Sequence, residues 1–162
     1  MLVLMTQDTA TMQAFFTQIS TIAKGADVFD AILVEDNRLR CVARGAAEPA
    51  EYRIDLVDGE VWVSLSTEDR WLSGSIEGDL MNSGDDLDEM IEEELVDQGC
   101  TDPHSKFEHF RDTEMRYTFR SKTPIDPNSS DTGAIAAEAA RWILGYEAAF
   151  RDLGDMSEPD EG

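Results

Sequence analysis

The chain has 162 residues, 41% of them apolar, with 35 acids against 13 bases and a formal net charge of −22. That length and apolar content suit a single domain able to bury its core without metal or disulfide support, and they exclude a disordered chain although the charge alone pushes that way. The few, scattered bases disfavour direct binding to a nucleic-acid backbone, and no apolar run is long enough for a membrane span.

The opening Met1–Met5 is apolar but short, with no base before it and no small-residue cleavage site after it, so a signal peptide is not expected. Residues 8–23 place Met12, Phe15, Phe16, Ile19 and Ile22 at three- and four-residue spacing, which predicts an amphipathic helix with Asp8 or Thr9 as cap and Gly25 as stop. From Phe29 to Leu65 the period falls to two. The runs 29–35, 38–44, 52–57 and 60–66 predict two consecutive hairpins, turning at Asp36-Asn37 and Asp58-Gly59.

A capped helix is expected next, with Thr67 as cap and Trp71, Leu72, Ile76 and Leu80 on its dry side, weakened by Gly74 and Gly78. The segment from Gly84 to Gly99 holds eight acids in sixteen positions and no base. Leu87, Met90, Ile91 and Leu95 fall at helical spacing within it, so the pattern predicts a helix with every acid on its wet surface. Residues 106–122 return to period two, with Met115, Tyr117 and Phe119 alternating against Arg116, Thr118 and Arg120, and predict two more strands. After a Pro-rich link, Ile135, Ala139, Trp142, Tyr146, Ala149 and Leu153 define a closing helix that lies on a sheet rather than forming a coiled-coil seam.

The expected fold is α+β and two-layer: an antiparallel sheet of about five to six strands with helices on one face. Residues 1–154 are read as one domain and 155–162 as an acidic flexible tail. Cys41 and Cys100 are too few and too far apart for a disulfide framework, which favours a reducing cytoplasm.

Catalytic motifs are missing from the pattern. His104 and His109 flank one loop-to-strand junction and no G-x-S-x-G elbow is present, so no catalytic residue is assigned. Neither a zinc-ligand spacing nor a Gly-rich phosphate loop occurs, and no cofactor, metal or small molecule is assigned. The acidic helix 85–97 offers one alternative, a divalent-metal-dependent hydrolase using Glu89, Glu92, Glu93 and Asp97. Its pairs Glu89–Glu92 and Glu94–Asp97 resemble those of some nucleotide pyrophosphohydrolases, but those enzymes divide such pairs between two facing helices. A further alternative is an acidic surface that imitates nucleic acid and occupies a basic protein.

The bases are distributed more tellingly. Arg38, Arg40, Arg44, Arg53, Arg111, Arg116, Arg120 and Lys122 all fall in or beside predicted strands, and none occurs from Trp71 to Ser105. If the helices cover Tyr52, Ile54, Leu56, Val61, Val63 and Leu65, alternation sends Arg53, Arg116, Arg120 and Trp62 to the opposite face. Cations on the sheet, carboxylates on the helices: that sorting makes Arg53, Trp62, Arg116 and Arg120 the candidate protein-binding residues.

The order helix, strands, acidic helical middle, two strands and long closing helix is similar to the α-β-β-β-α-β-β-α plan of class I type III secretion chaperones and the YbjN family. A fourth strand before the middle helices departs from that plan, and no functional residue is carried over. The resemblance implies a cytoplasmic, non-enzymatic, dimeric protein that binds or holds another polypeptide.

Overall fold

The computed structural model describes residues 9–35 and 37–156. Along the chain run α1 (Thr9–Ala26), β1 (Phe29–Val34), β2 (Arg38–Ala43), β3 (Ala50–Val57), β4 (Glu60–Thr67), α2 (Arg70–Ser83), α3 (Leu87–Gln98), β5 (Phe107–Arg111), β6 (Tyr117–Lys122), α4 (Thr132–Phe150) and a 3-10 turn, Gly154–Met156. The strands form one antiparallel sheet in the order β1-β2-β3-β4-β6-β5, backed by the helices in a two-layer α+β arrangement. Among the described residues no helix is long and apolar enough to cross a membrane.

Turn chemistry sets the register of the central hairpin. Asp58 and Gly59 both take positive φ, 52° and 77°, so a two-residue turn brings Val57 opposite Glu60. That handedness matches strand twist, and only Gly, Asn and Asp tolerate it readily. With the register fixed, Tyr52 and Ile54 of β3 join Val63 and Leu65 of β4, Leu39 and Cys41 of β2 and Phe119 of β6 on the covered face.

Over that face α4 packs on β3 and β4 and against α1 and α3, and it buries Ala139, Trp142, Ile143, Tyr146 and Phe150. The expected stripe therefore faces the interior and is no seam. The Trp142 indole N–H has no hydrogen-bond partner among the described residues. Such a donor costs about 1–3 kcal/mol, which the burial of so large a ring offsets.

Several local expectations are corrected by longer-range contacts. Helix α1 continues past Gly25 to Ala26 and ends where Asp27 turns to φ 55°; Asp8 lies outside the described residues, as does Asp36 of the first hairpin turn. Thr67 ends β4 and bonds the Pro49 carbonyl, while the cap of α2 is Asp69, whose carboxylate accepts from the Leu72 N–H at 2.8 Å. Met115 is absent from the core face: it takes φ 66° in the β5–β6 turn and is exposed. Trp71 leaves the dry side of α2 and stands 83% exposed, because Leu72, Ser73 and Ile76 take the inward positions.

The 3-10 turn returns to α2. Asp155 N–H donates to Ser75 Oγ at 2.9 Å, Gly154 N–H donates to Asp79, and Met156 is buried. The expected acidic tail thus begins on a tethered turn, and residues 157–162 lie outside the described residues.

Candidate functional site

Strand pairing carries one set of side chains to the face that no described helix covers. Arg38 and Arg40 of β2, Glu51, Arg53 and Asp55 of β3, Trp62, Ser64 and Ser66 of β4 and Thr118 and Arg120 of β6 lie side by side there. Arg53 and Arg120 stand either side of Ser64, as alternation from the covered residues requires.

Glu51 is the centre of this face. Its carboxylate accepts from Arg40 at 2.9 Å and 3.0 Å and from Arg53, with the Arg116 guanidinium 3.9 Å away. The side chains of Glu51 and Arg53 are 6% and 8% exposed, roofed by the other arginines. Burial pushes the Glu51 carboxyl up, but the Arg40 hydrogen bonds and the Arg53 charge outweigh it and hold the group below the ordinary glutamate range. Arg116 is fixed by Ser66 Oγ at 2.6 Å and by Glu68 at 3.0 Å. Beside the cluster is a hollow of about 470 Å³ lined by Arg40, Val42, Pro49, Glu51, Glu68 and Arg116.

Towards β5 the face becomes aromatic. The Arg120 guanidinium lies 4.0 Å from the Trp62 ring centroid and 4.9 Å from that of Phe110. Its Nε bonds Glu108 at 3.3 Å. A smaller hollow of about 130 Å³ opens here, lined in part by Arg38, Arg53, Asp55, Trp62, Phe110 and Arg120. Burial pushes the Asp55 carboxyl up, against the opposing pull of its Arg38 ion pair.

The structure therefore brings all four candidate residues, Trp62, Arg116, Arg120 and Arg53, to one sheet face, but it corrects the role expected of Arg53, which is buried in its pair with Glu51 and is not presented to a partner. It also corrects the idea that cations and carboxylates occupy separate layers. Glu51, Asp55, Glu60, Glu68 and Glu108 meet the arginines and Lys122 on this same side. The face is an ion-pair lattice close to neutral, on a chain whose total is −22.

The acids of α3 are corrected in the same way. Asp86 caps the helix. Asp88 accepts from the Phe107 N–H at 2.8 Å and from Ser105 Oγ at 3.2 Å, and Glu92 accepts from the Ser105 N–H at 2.9 Å. Two of the expected wet acids thus hold the entry to β5, next to a buried chain from Ser105 through Ser121 to the Tyr146 hydroxyl. Burial pushes the Asp88 carboxyl up. Glu89, Glu93 and Asp97 stay in solvent beside His104, along a groove of about 580 Å³. Among the described residues no three His, Cys, Asp or Glu side chains are placed to hold a metal ion.

Sequence reasoning missed a second polar cluster under α2. His109 of β5 stacks on Phe119 with ring centroids 3.7 Å apart; its Nδ1 is 2.8 Å from Glu77 and its Nε2 3.3 Å from Ser73 Oγ. With the ring neutral, Nδ1–H donates to Glu77 and Nε2 accepts from the Ser73 hydroxyl. The order carboxylate, imidazole, hydroxyl is that of a serine hydrolase. Yet Ser73 is 3% exposed and its Oγ faces the imidazole, so the hydroxyl is buried rather than presented at an open surface. The cluster is a latch between α2 and the sheet. The i, i+4 spacing of Ser73 and Glu77 places both on one helix side, but nothing in the sequence aims His109 at them.

Burial holds the His109 pKa below the ordinary histidine value, partly opposed by Glu77. On acidification through that ordinary value the unfolded chain takes up the proton first, so the latch loses stability as pH falls. Protection factors of α2 amides, that is exchange corrected for the fall of the intrinsic rate with pH, should drop between neutral pH and pH values below the ordinary histidine range, and His109→Phe should remove that dependence. Unchanged α2 protection in the wild type across the same interval would show that His109 does not hold the helix.

No protein-family model, curated protein or solved structure matches this chain. The geometry alone therefore defines the class: an α+β domain with one sheet face that none of the described helices covers, carrying an arginine-aromatic surface.

Proposed function

We propose that this chain is a cytoplasmic, non-enzymatic protein-binding module, chaperone-like or regulatory, that receives a polypeptide on the open sheet face. The observation that carries the reading is the position of Arg120 between Trp62 and Phe110 on a face that no described element covers. Arginine and tryptophan are the side chains that most often dominate binding energy, and a guanidinium held over rings is already oriented. Near-neutrality adds to this: an approaching segment meets little net charge here, whereas the remaining surface repels acidic chains. A partner carboxylate would replace the exposed ends of the lattice, Glu68 or Glu108, leaving the buried Glu51–Arg53 centre intact. The likeness of the element order to class I type III secretion chaperones and the YbjN family agrees with this reading.

Purification of the full chain from its native cytoplasm should retain a partner in fixed stoichiometry. Trp62→Ala and Arg120→Ala should each weaken retention by about 2 kcal/mol, roughly thirtyfold in affinity. Equal retention by wild type and both variants would remove the sheet face from the interaction, and no stoichiometric partner would remove the reading itself.

A further inference from the structure

Ser64 of β4 is a small side chain set among large ones. Arg53 of β3 and Arg120 of β6 lie to either side of it, and Trp62 is next on the same face of its own strand. A serine among long side chains leaves a dent, and this dent is the hollow of about 130 Å³ beside Trp62 and Phe110. Ser64 is 4% exposed at the base of that hollow, and its hydroxyl has no hydrogen-bond partner among the described residues. Buried hydroxyls are nearly always bonded, so one without a partner in a polar hollow points to a group that arrives from outside.

Donors around this hydroxyl exceed acceptors. Arg120 bonds Glu108 through Nε at 3.3 Å, and its terminal nitrogens have no acceptor among the described residues. The Trp62 and Phe110 rings hold that guanidinium in place, with centroids at 4.0 Å and 4.9 Å. The hollow is lined by three bases, Arg38, Arg53 and Arg120, against two acids, Asp55 and Asp112. Asp55 is engaged by Arg38, and Asp112 accepts from the Glu114 and Arg116 N–H groups at 2.9 Å. Arg53, held by Glu51, adds its charge from the wall. On a chain of net charge −22 this small region therefore carries more positive than negative charge, and Glu108, 49% exposed, can swing away from it.

We propose that this hollow is a carboxylate subsite: an aspartate or glutamate side chain of the bound polypeptide enters it, accepts from the Ser64 hydroxyl and from the terminal nitrogens of Arg120, and takes the place of Glu108. The inference rests on the reading of the open face as polypeptide-binding and adds which side chain that polypeptide carries. Volume limits the class. A cavity of about 150 Å³ holds a benzene molecule, so one of about 130 Å³ takes a carboxylate with its short stem and no larger head group. A guanidinium presents parallel N–H donors that match a carboxylate edge. Residues flanking the acid would pack on Trp62 and Phe110, and the strongly negative remaining surface selects a lone acid in a neutral or basic segment over an acidic run.

Titration of the full chain with N-acetyl-aspartate N-methylamide, followed by NMR at physiological salt, tests this. The Arg120 Nε–H and Ser64 amide resonances should shift saturably in the millimolar range, and the asparagine counterpart of the probe should leave them in place. Ser64→Ala and Arg120→Gln should each weaken binding about tenfold or more, the effect of losing a hydrogen bond to a charged group. Ser64→Ala should also leave the denaturation midpoint unchanged or raised, because the hydroxyl it removes bonds nothing within the fold. A clear fall in that midpoint would assign the hydroxyl to the fold's own bonding and overturn the proposal. So would equal shifts with the asparagine probe, wild-type affinity in Ser64→Ala, or tighter binding of inorganic phosphate than of the aspartate probe. A single blocked residue reports on the subsite whether or not a partner copurifies. A partner retained through Trp62 and Arg120 with no response to aspartate sinks the subsite alone, whereas a response in a chain that retains no partner sinks the polypeptide reading and keeps the carboxylate site.

Discussion

Glu51→Gln is expected to destabilise the fold by about 3–5 kcal/mol, the range found when one partner of a buried ion pair is removed. The substitution preserves volume but withdraws the charge that compensates Arg53 and Arg40, and Arg53 has no solvent to turn to. Chemical denaturation of the two proteins measures the difference. A loss below about 1 kcal/mol would mean that the lattice behaves as a set of surface pairs. Glu51→Leu combined with Arg53→Met should recover much of the loss, since apolar residues of similar volume often replace a buried pair without penalty.

The same carboxylate sets a pH signature. Its folded pKa is depressed, so its contribution is present above the ordinary glutamate value and is lost as pH falls through the folded one. Asp55 and Asp88 are shifted upward and act in the opposite sense, favouring the folded state as they take up protons. Acid lability below the ordinary carboxylate range should therefore diminish in the Glu51→Gln protein. If it persists unchanged, another acid carries it.

Gly154→Ala is the second change with a large expected effect, about 2–4 kcal/mol from overpacking and left-handed backbone strain together. Gly154 has φ 51°, and a Cβ there would come 2.5 Å from the Ser75 carbonyl carbon and 2.6 Å from the Ile76 nitrogen. Both are backbone atoms of α2, so no side chain can swing aside. The helix must move, and with it the Ser73–His109 latch. Loss of α2 protection in hydrogen exchange, ahead of the sheet, should accompany the drop in stability. A fully stable Gly154→Ala protein would show that the turn is not pressed onto α2 as described.

Legibility in the sequence followed the range of the interaction. The Asp58-Gly59 turn, the alternation that sends Arg53 and Arg120 opposite Tyr52 and Phe119, and the Leu87, Ile91, Leu95 stripe were readable because each depends on backbone preferences within a few residues. The open arginine face followed from strand period alone. Its chemistry did not: that Glu51 sits among Arg40, Arg53 and Arg116 depends on the β2-β3-β4-β6 order, and Arg116 meets Ser66 across 50 residues of chain.

Likewise Ser73 meets His109 across 36 residues, and Trp71 faces outward only because α2 is rotated to place Leu72, Ser73 and Ile76 on the sheet side. Strand period and turn chemistry are local properties that the amino-acid order determines by itself. Which charges neutralise one another, and which apolar residues are left outside, are decided by packing between elements, because a side chain's partner there is chosen by register and helix placement rather than by its neighbours along the chain.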